Sequence, residues 1–164
     1  MTSWKPDRKD LPSLLLTLVA VAVWCMGKTT AEAMAVSAAA PLCCLTYHFA
    51  HANIFHLLCN MLGLWPFHPR WLTVMVGYVC STLAALLLAL VYPGYGPVCG
   101  LSALIFACFA RRYAVWHFPI WKIVLFNVPF IFIPRVDGLL HLLSFFISYL
   151  VWLPLGRRLS MRRP

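Results

Sequence analysis

The chain has 164 residues, 63% hydrophobic and only 10% charged, with a formal net charge of +9 and a mean hydropathy of +0.85. A soluble domain is about half apolar and about a quarter charged, and one of this size hides only about two-thirds of its unfolded surface, so this excess would face water in large patches. The composition excludes a disordered chain, a disulfide-stapled secreted module and a soluble two-domain enzyme. The basic residues sit in short clusters between apolar runs, which reads as membrane topology rather than a nucleic-acid surface.

A membrane-crossing helix needs about 20 mostly apolar residues. Runs separated by Pro, Gly or basic residues predict six spans, at about 11–27, 52–67, 71–92, 98–110, 115–134 and 138–155, within a single all-α membrane domain over 1–164. The first run has a basic start and is followed by Ala31-Glu32-Ala33, which is also the pattern of a signal peptide. Lys28, between the run and that site, and the further spans favour a retained helix. The Ala-rich stretch 28–50 is too polar at its start for a span and is read as lying along the membrane surface. The fourth run stops at Arg111 after about 13 residues, about 20 Å of helix against a core of about 30 Å. Its outer end therefore lies below the lipid surface, where non-helical backbone persists only if buried in protein or lining water.

Orientation follows from Lys and Arg in the short loops. With the N-terminus inside, the inner side receives Lys5, Arg8, Lys9, Arg70, Arg111, Arg112, Arg157, Arg158, Arg162 and Arg163, ten of the 13 basic residues. Lys28 and Arg135 stay outside, and Lys122 lies in the fifth run toward its inner end. Both termini are thus placed in the cytoplasm. The seven cysteines form no CxxC pair, and inside spans a free Cys behaves as a small hydrophobe. A partner for adjacent Cys43 and Cys44 is left open.

Strongly polar side chains inside a bilayer are costly and mark functional sites by default. Three places carry them. At the outer start of the second span lie His51, His56 and Asn60, with His56 and Asn60 one turn apart on the same helix face. The breaker-rich Pro93-Gly94-Tyr95-Gly96-Pro97 leads through Gly100 and Leu101 to Ser102, at a helix N-terminus whose N–H groups lack intrahelical partners. In the sixth span His141, Ser144 and Ser148 share one face, opposite a small-residue stripe of Ala103, Ala107 and Ala110 on the fourth. Small residues allow close helix approach, which could bring His141 within reach of Ser102 as base and nucleophile. Asp137 reads as the N-cap of the sixth helix. His48, His68 and His117 read as packing residues, and Pro119, Asn127 and Pro129 as residues that loosen the fifth helix.

His51-x4-His56-x3-Asn60, Gly100-Leu101-Ser102-Ala103 and the later His141 together resemble the rhomboid intramembrane serine proteases, and the resemblance covers essentially the whole chain as a minimal six-span core. It implies Ser102 as nucleophile and His141 as general base, with no cofactor and no metal. It further implies that His56, Asn60 and the Ser102 N–H stabilise the oxyanion, that Gly100 and Leu101 shape the loop and substrate site, and that His51, Phe106 and Ser144 support, with Phe106 against the His141 ring. The chain departs from the family in Ala103, Ser144 and Ser148, where glycines are usual, and in lacking a clear Trp-Arg pair in the first outer loop. The implied substrate is a single-span membrane protein cleaved near the outer face, entering between the second and fifth spans, with the lipid bilayer as surroundings and no nucleic-acid partner. The implied location is a bacterial inner membrane. Two other readings stand beside it. One is an inactive rhomboid-like protein that binds or escorts membrane clients. The other is a metal or haem carrier, which lacks thiolate or carboxylate partners near His51 and His56.

Overall fold

The computed structural model describes residues 10–131 and 137–160. Over these residues the fold is helical: α1 Leu11–Cys25, α2 Lys28–Met34, α3 Ile54–Leu64, α4 Trp71–Val91, α5 Ser102–Trp116, α6 Trp121–Ile131 and α7 Gly138–Ser160. No strand occurs among the described residues, only isolated bridge pairs joining Val36 to Val98 and Ser37 to Ala40. Lys5, Arg8, Lys9, Arg135, Arg162 and Arg163, used above for orientation, lie outside the described residues.

The helices follow their local chemistry. α4 runs 21 residues without Pro and stops before Pro93-Gly94, and among the described residues it is the one helix that is long and apolar enough by itself to cross a membrane. α1 and α2 pass the same test as a pair, bent by 118° at the break, where Gly27 takes φ +94°. Three shorter apolar helices cover Ile54–Phe67, which is α3 with its terminal 3-10 turn, Trp121–Phe130 and Gly138–Pro154.

Several boundaries differ from expectation, among them the fifth predicted run, 115–134, whose helix begins only at Trp121 while 115 and 116 still belong to α5. The fourth predicted run, 98–110, is a helix only from Ser102, and it continues through Arg111 and Arg112 to Trp116. Arg is a good helix former, so loss of apolar character ended the run without ending the helix. The last helix continues past Pro154 to Ser160. α6 runs through both Asn127 and Pro129, so the loosening expected there does not interrupt it.

α5 is the central post, packed on α7 and on α4. Its Ala103, Ala107, Ala110 and Ala114 recur at helical spacing and are buried, as are Ser144 and Ser148 on α7. The two serines do not hold the helices apart, for Ser148 Oγ donates to the Ala107 carbonyl at 2.7 Å. On the α4 side, a Cβ at Gly77 would lie 2.9 Å from Cys108 Sγ, so glycine is what allows that crossing. The outer face of α4 presents Leu72, Met75, Val79, Leu83, Leu87 and Leu90, all exposed.

The connection between α2 and α3 is the unexpected part of the fold. It contains two 3-10 turns, Pro41–Leu45 and Tyr47–Phe49, and is docked on α4 by Tyr47 Oη donating to the Ser81 carbonyl (3.1 Å) and Tyr78 Oη to the Leu45 carbonyl (2.6 Å). Cys43 and Cys44, for which a partner was left open, are both free thiols.

Candidate active site

The irregular backbone between α4 and α5 has polar groups that water or protein must satisfy, and the docked connection supplies partners. Val36 and Val98 exchange both N–H···O bonds (3.0 and 2.9 Å), Ala38 N–H donates to the Tyr95 carbonyl (3.1 Å) and Gly100 N–H to the Tyr47 carbonyl (2.9 Å). The loop is thereby clamped in an extended course up to the start of α5, where Leu101 is wholly buried and Ser102 is the first helical residue.

Ser102 Oγ and His141 Nε2 are 2.7 Å apart. They come from α5 and α7, the two helices whose small-residue faces pack together. The His141 ring is held on three sides. Phe106, one turn beyond Ser102, stacks on it at 4.5 Å between centroids and 7° between planes. Phe130 meets it edge-on at 6.1 Å. At Nδ1 the partner is Asn127 Oδ1, at 3.2 Å.

Asn127 is the residue that sequence reasoning misassigned. It lies on α6, is fully buried, and its Nδ2 donates to the Gly138 carbonyl at 2.7 Å. With the amide so oriented, Oδ1 faces His141 as an acceptor. The ring then carries its proton on Nδ1, leaving Nε2 with a lone pair toward the Ser102 hydroxyl. A polar residue two positions before a proline reads as a weak point in a helix, and only the packing of α6 on α7 reveals its partner. Asp137 caps α7 instead of orienting His141: its Oδ1 accepts the Leu140 N–H at 2.8 Å.

The third group converges on Gly100. α3 begins with Asn53 as its cap, Oδ1 accepting the His56 N–H at 2.8 Å, which sets His56 and Asn60 one above the other. Gly100 has φ +121°, and a Cβ there would lie 2.6 Å from both Cε1 and Nε2 of His56 and 3.2 Å from Nδ2 of Asn60. Glycine is needed for both the conformation and the space. Asn60 Nδ2 is buried with no hydrogen-bond partner. An orphaned buried donor costs about 1–3 kcal/mol and calls for an explanation; an acceptor arriving on a ligand, beside Gly100 and Ser102, supplies one.

The remaining predicted residues fall around this centre. His51 hydrogen-bonds through Nδ1 to the Phe49 carbonyl at 3.2 Å and meets the His56 ring edge-on at 5.2 Å. Burial, then the neighbouring His56, holds His51 down at about 4, so it is neutral at pH 7. Ser144 is buried on α7 and its Oγ has no partner. His48 bonds to Thr82 Oγ1 at 3.1 Å. His68 and His117 take left-handed backbone at helix ends. A cavity of about 760 Å³ lies between the α1–α2 corner and residues 97–99, with His51, Asn53 and His56 in its wall. No group of three or more His, Cys, Asp or Glu that could hold a metal occurs among the described residues.

The arrangement is thus a hydroxyl against an oriented imidazole, with His56 and the unpaired Asn60 amide beside Gly100, two residues before Ser102. No curated protein and no solved structure matches the chain. The family model of the Rhomboid domain matches residues 39–161, which take in the docked connection from residue 39 onward, the clamped loop and the helices that carry Ser102, His141, His56 and Asn60. The chain belongs to the rhomboid family, whose members are integral membrane proteins.

Proposed function

We propose that the protein is an intramembrane serine endopeptidase in which Ser102 attacks a peptide carbonyl and His141 takes its proton. The observation that carries this reading is the 2.7 Å approach of Ser102 Oγ to His141 Nε2, with Asn127 on the far side of the ring. A serine hydroxyl is a weak nucleophile until a base within hydrogen-bond reach removes its proton. Asn127 is a positioning residue, holding the tautomer in which Nε2 is free to accept. The oxyanion that forms takes hydrogen bonds from Asn60 Nδ2, from the His56 ring and from the Ser102 N–H at the start of α5, with each such donor worth about 3 kcal/mol of barrier. His141 then returns the proton to the leaving amine, and a water deprotonated by the same ring hydrolyses the acyl-enzyme.

Six spans with both termini inside remain the proposed topology, in a bacterial inner membrane. The exposed apolar stripe on α4 supports a lipid-facing surface. α5, at 15 residues, rises about 22 Å and falls short of a hydrocarbon core of about 30 Å, which supports a serine below the outer surface, reached by water beside the loop. A regular transmembrane helix offers no free carbonyl to such a site. The proposed substrate is therefore a single-span protein whose outer helix end unwinds readily, at Gly, Pro or other weak helix formers.

The test is cleavage of a transmembrane reporter by the full-length protein in detergent or lipid. Wild type is expected to cut, and Ser102→Ala to abolish cleavage with unchanged melting temperature. Equal cleavage by Ser102→Ala overturns the reading, and a wild type that binds the reporter without cutting it makes the chain an inactive client-binding member of the family.

A further inference from the structure

The end of the molecule opposite Ser102 holds a second cavity, of about 300 Å³, walled by Phe67, His68, Arg70, Thr73, Arg111 and Arg112 among others. Three guanidinium-bearing residues from two helices share one space. Arg70 caps the N-terminus of α4, and Arg111 and Arg112 come from the last turns of α5. None of the three forms an ion pair or donates a hydrogen bond to a described residue. The carboxylate of Asp10 is engaged by His68 Nδ1 at 2.8 Å.

Arginines that serve only to fix topology extend into water and need no cavity. Here two of the three side chains lie against aromatic rings. The Arg112 guanidinium lies over the Phe67 ring at 5.0 Å and that of Arg111 over Trp152 at 5.4 Å. Stacking on a ring fixes the plane of a guanidinium and leaves its N–H edges, the part that binds oxyanions bidentately, to other partners. The start of α4 adds backbone N–H groups without intrahelical acceptors. Like charges gathered around one open cavity repel one another unless an anion joins them.

We propose that the Arg70, Arg111 and Arg112 cavity binds a phosphate-bearing anion, carried on a lipid headgroup or free in solution. A volume of about 300 Å³ is at the small end of ligand sites and takes a phosphate with a short substituent. Trp71, Leu72 and Met75 are exposed on α4 directly after Arg70, and Trp116 and Phe118 at the end of α5. Aromatic and apolar residues beside a basic pocket are what an anchored headgroup with its chains requires. This site is independent of the protease reading, since it uses none of its residues.

The experiment is native mass spectrometry of the full-length, delipidated protein in detergent, titrated with phosphatidylglycerol, with phosphatidylcholine and with inorganic phosphate. Wild type is expected to hold phosphatidylglycerol about tenfold or more above Arg70→Gln/Arg111→Gln/Arg112→Gln, with the two equal for phosphatidylcholine. Displacement by millimolar inorganic phosphate assigns the site to a soluble anion, and persistence assigns it to the headgroup. Equal retention of phosphatidylglycerol by wild type and triple variant, together with no difference in bound phosphate, overturns the proposal. So does an equal loss in Arg157→Gln/Arg158→Gln/Arg162→Gln, which removes the same charge from the C-terminal run. Should the triple variant not fold, Arg70→Gln alone is expected to weaken retention about fivefold, and no change overturns the proposal.

Discussion

Replacing Asn127 by Leu separates orientation of the base from packing. The two side chains have the same branched outline, so Asn127→Leu fills the same space between α6 and α7 and removes both polar contacts. Gly138 loses little, because its carbonyl lies in the first turn of α7 and has a helical partner as well. His141 loses its acceptor at Nδ1. A buried N–H left unpaired costs about 1–3 kcal/mol. The ring can escape that cost by moving its proton to Nε2, where it meets Ser102 Oγ at 2.7 Å and leaves Ser102 without a base. The population of the productive tautomer then falls by the same free energy, about 5- to 150-fold. The loss should appear in kcat with KM unchanged, since Asn127 touches no substrate position. Reporter cleavage and labelling of Ser102 by a fluorophosphonate, run in parallel, should decline together. An Asn127→Leu protein that is folded, cleaves at more than half the wild-type kcat and labels at the wild-type rate would refute the argument.

Two further outcomes follow from the geometry. His56→Ala and Asn60→Ala should each lower kcat, by about two to three decades for a donor aimed at the oxyanion, and Asn60→Ala should leave the melting temperature unchanged or raised, because the amide it removes has no partner; a lowered melting temperature with full activity would make Asn60 purely structural. Burial holds His48 at about 3 and His51 at about 4, below the ordinary value of about 6.5, so the unfolded chain binds more protons than the folded one between those values. Their stabilising effect is therefore complete above pH 6.5 and is lost as pH falls toward 4, and melting curves at pH 7.5 and 5 should differ in wild type and converge in His48→Gln/His51→Gln.

Ser102, His141, His56, Asn60 and Gly100 were legible in the sequence because each sits in a local pattern. The one-turn spacing of His56 and Asn60 sets them on one face of any helix, and breakers followed by Gly100-Leu101-Ser102 place a serine at a helix start. Phe106 and Asp137 were legible for the same reason, one turn from their partners. Asn127 was not, because its meaning depends on which helix packs beside it. The partners of the stretch 28–50 were out of reach for the same reason. Its small residues gave no hint that Val36, Ala38 and Tyr47 would clamp the loop before Ser102 through backbone hydrogen bonds, which any residue type can make.

The residue pattern by itself determined an apolar, helical chain and singled out Ser102, His141, His56 and Asn60 as polar residues to be explained, because short-range spacing and the cost of polar groups in lipid act on neighbours along the chain. Only the tertiary structure decided which nitrogen of His141 faces Ser102, what holds the loop in place and that three arginines from two helices share one cavity. Those are contacts between distant segments, set by how small-residue faces close on one another, and no spacing along the chain encodes them.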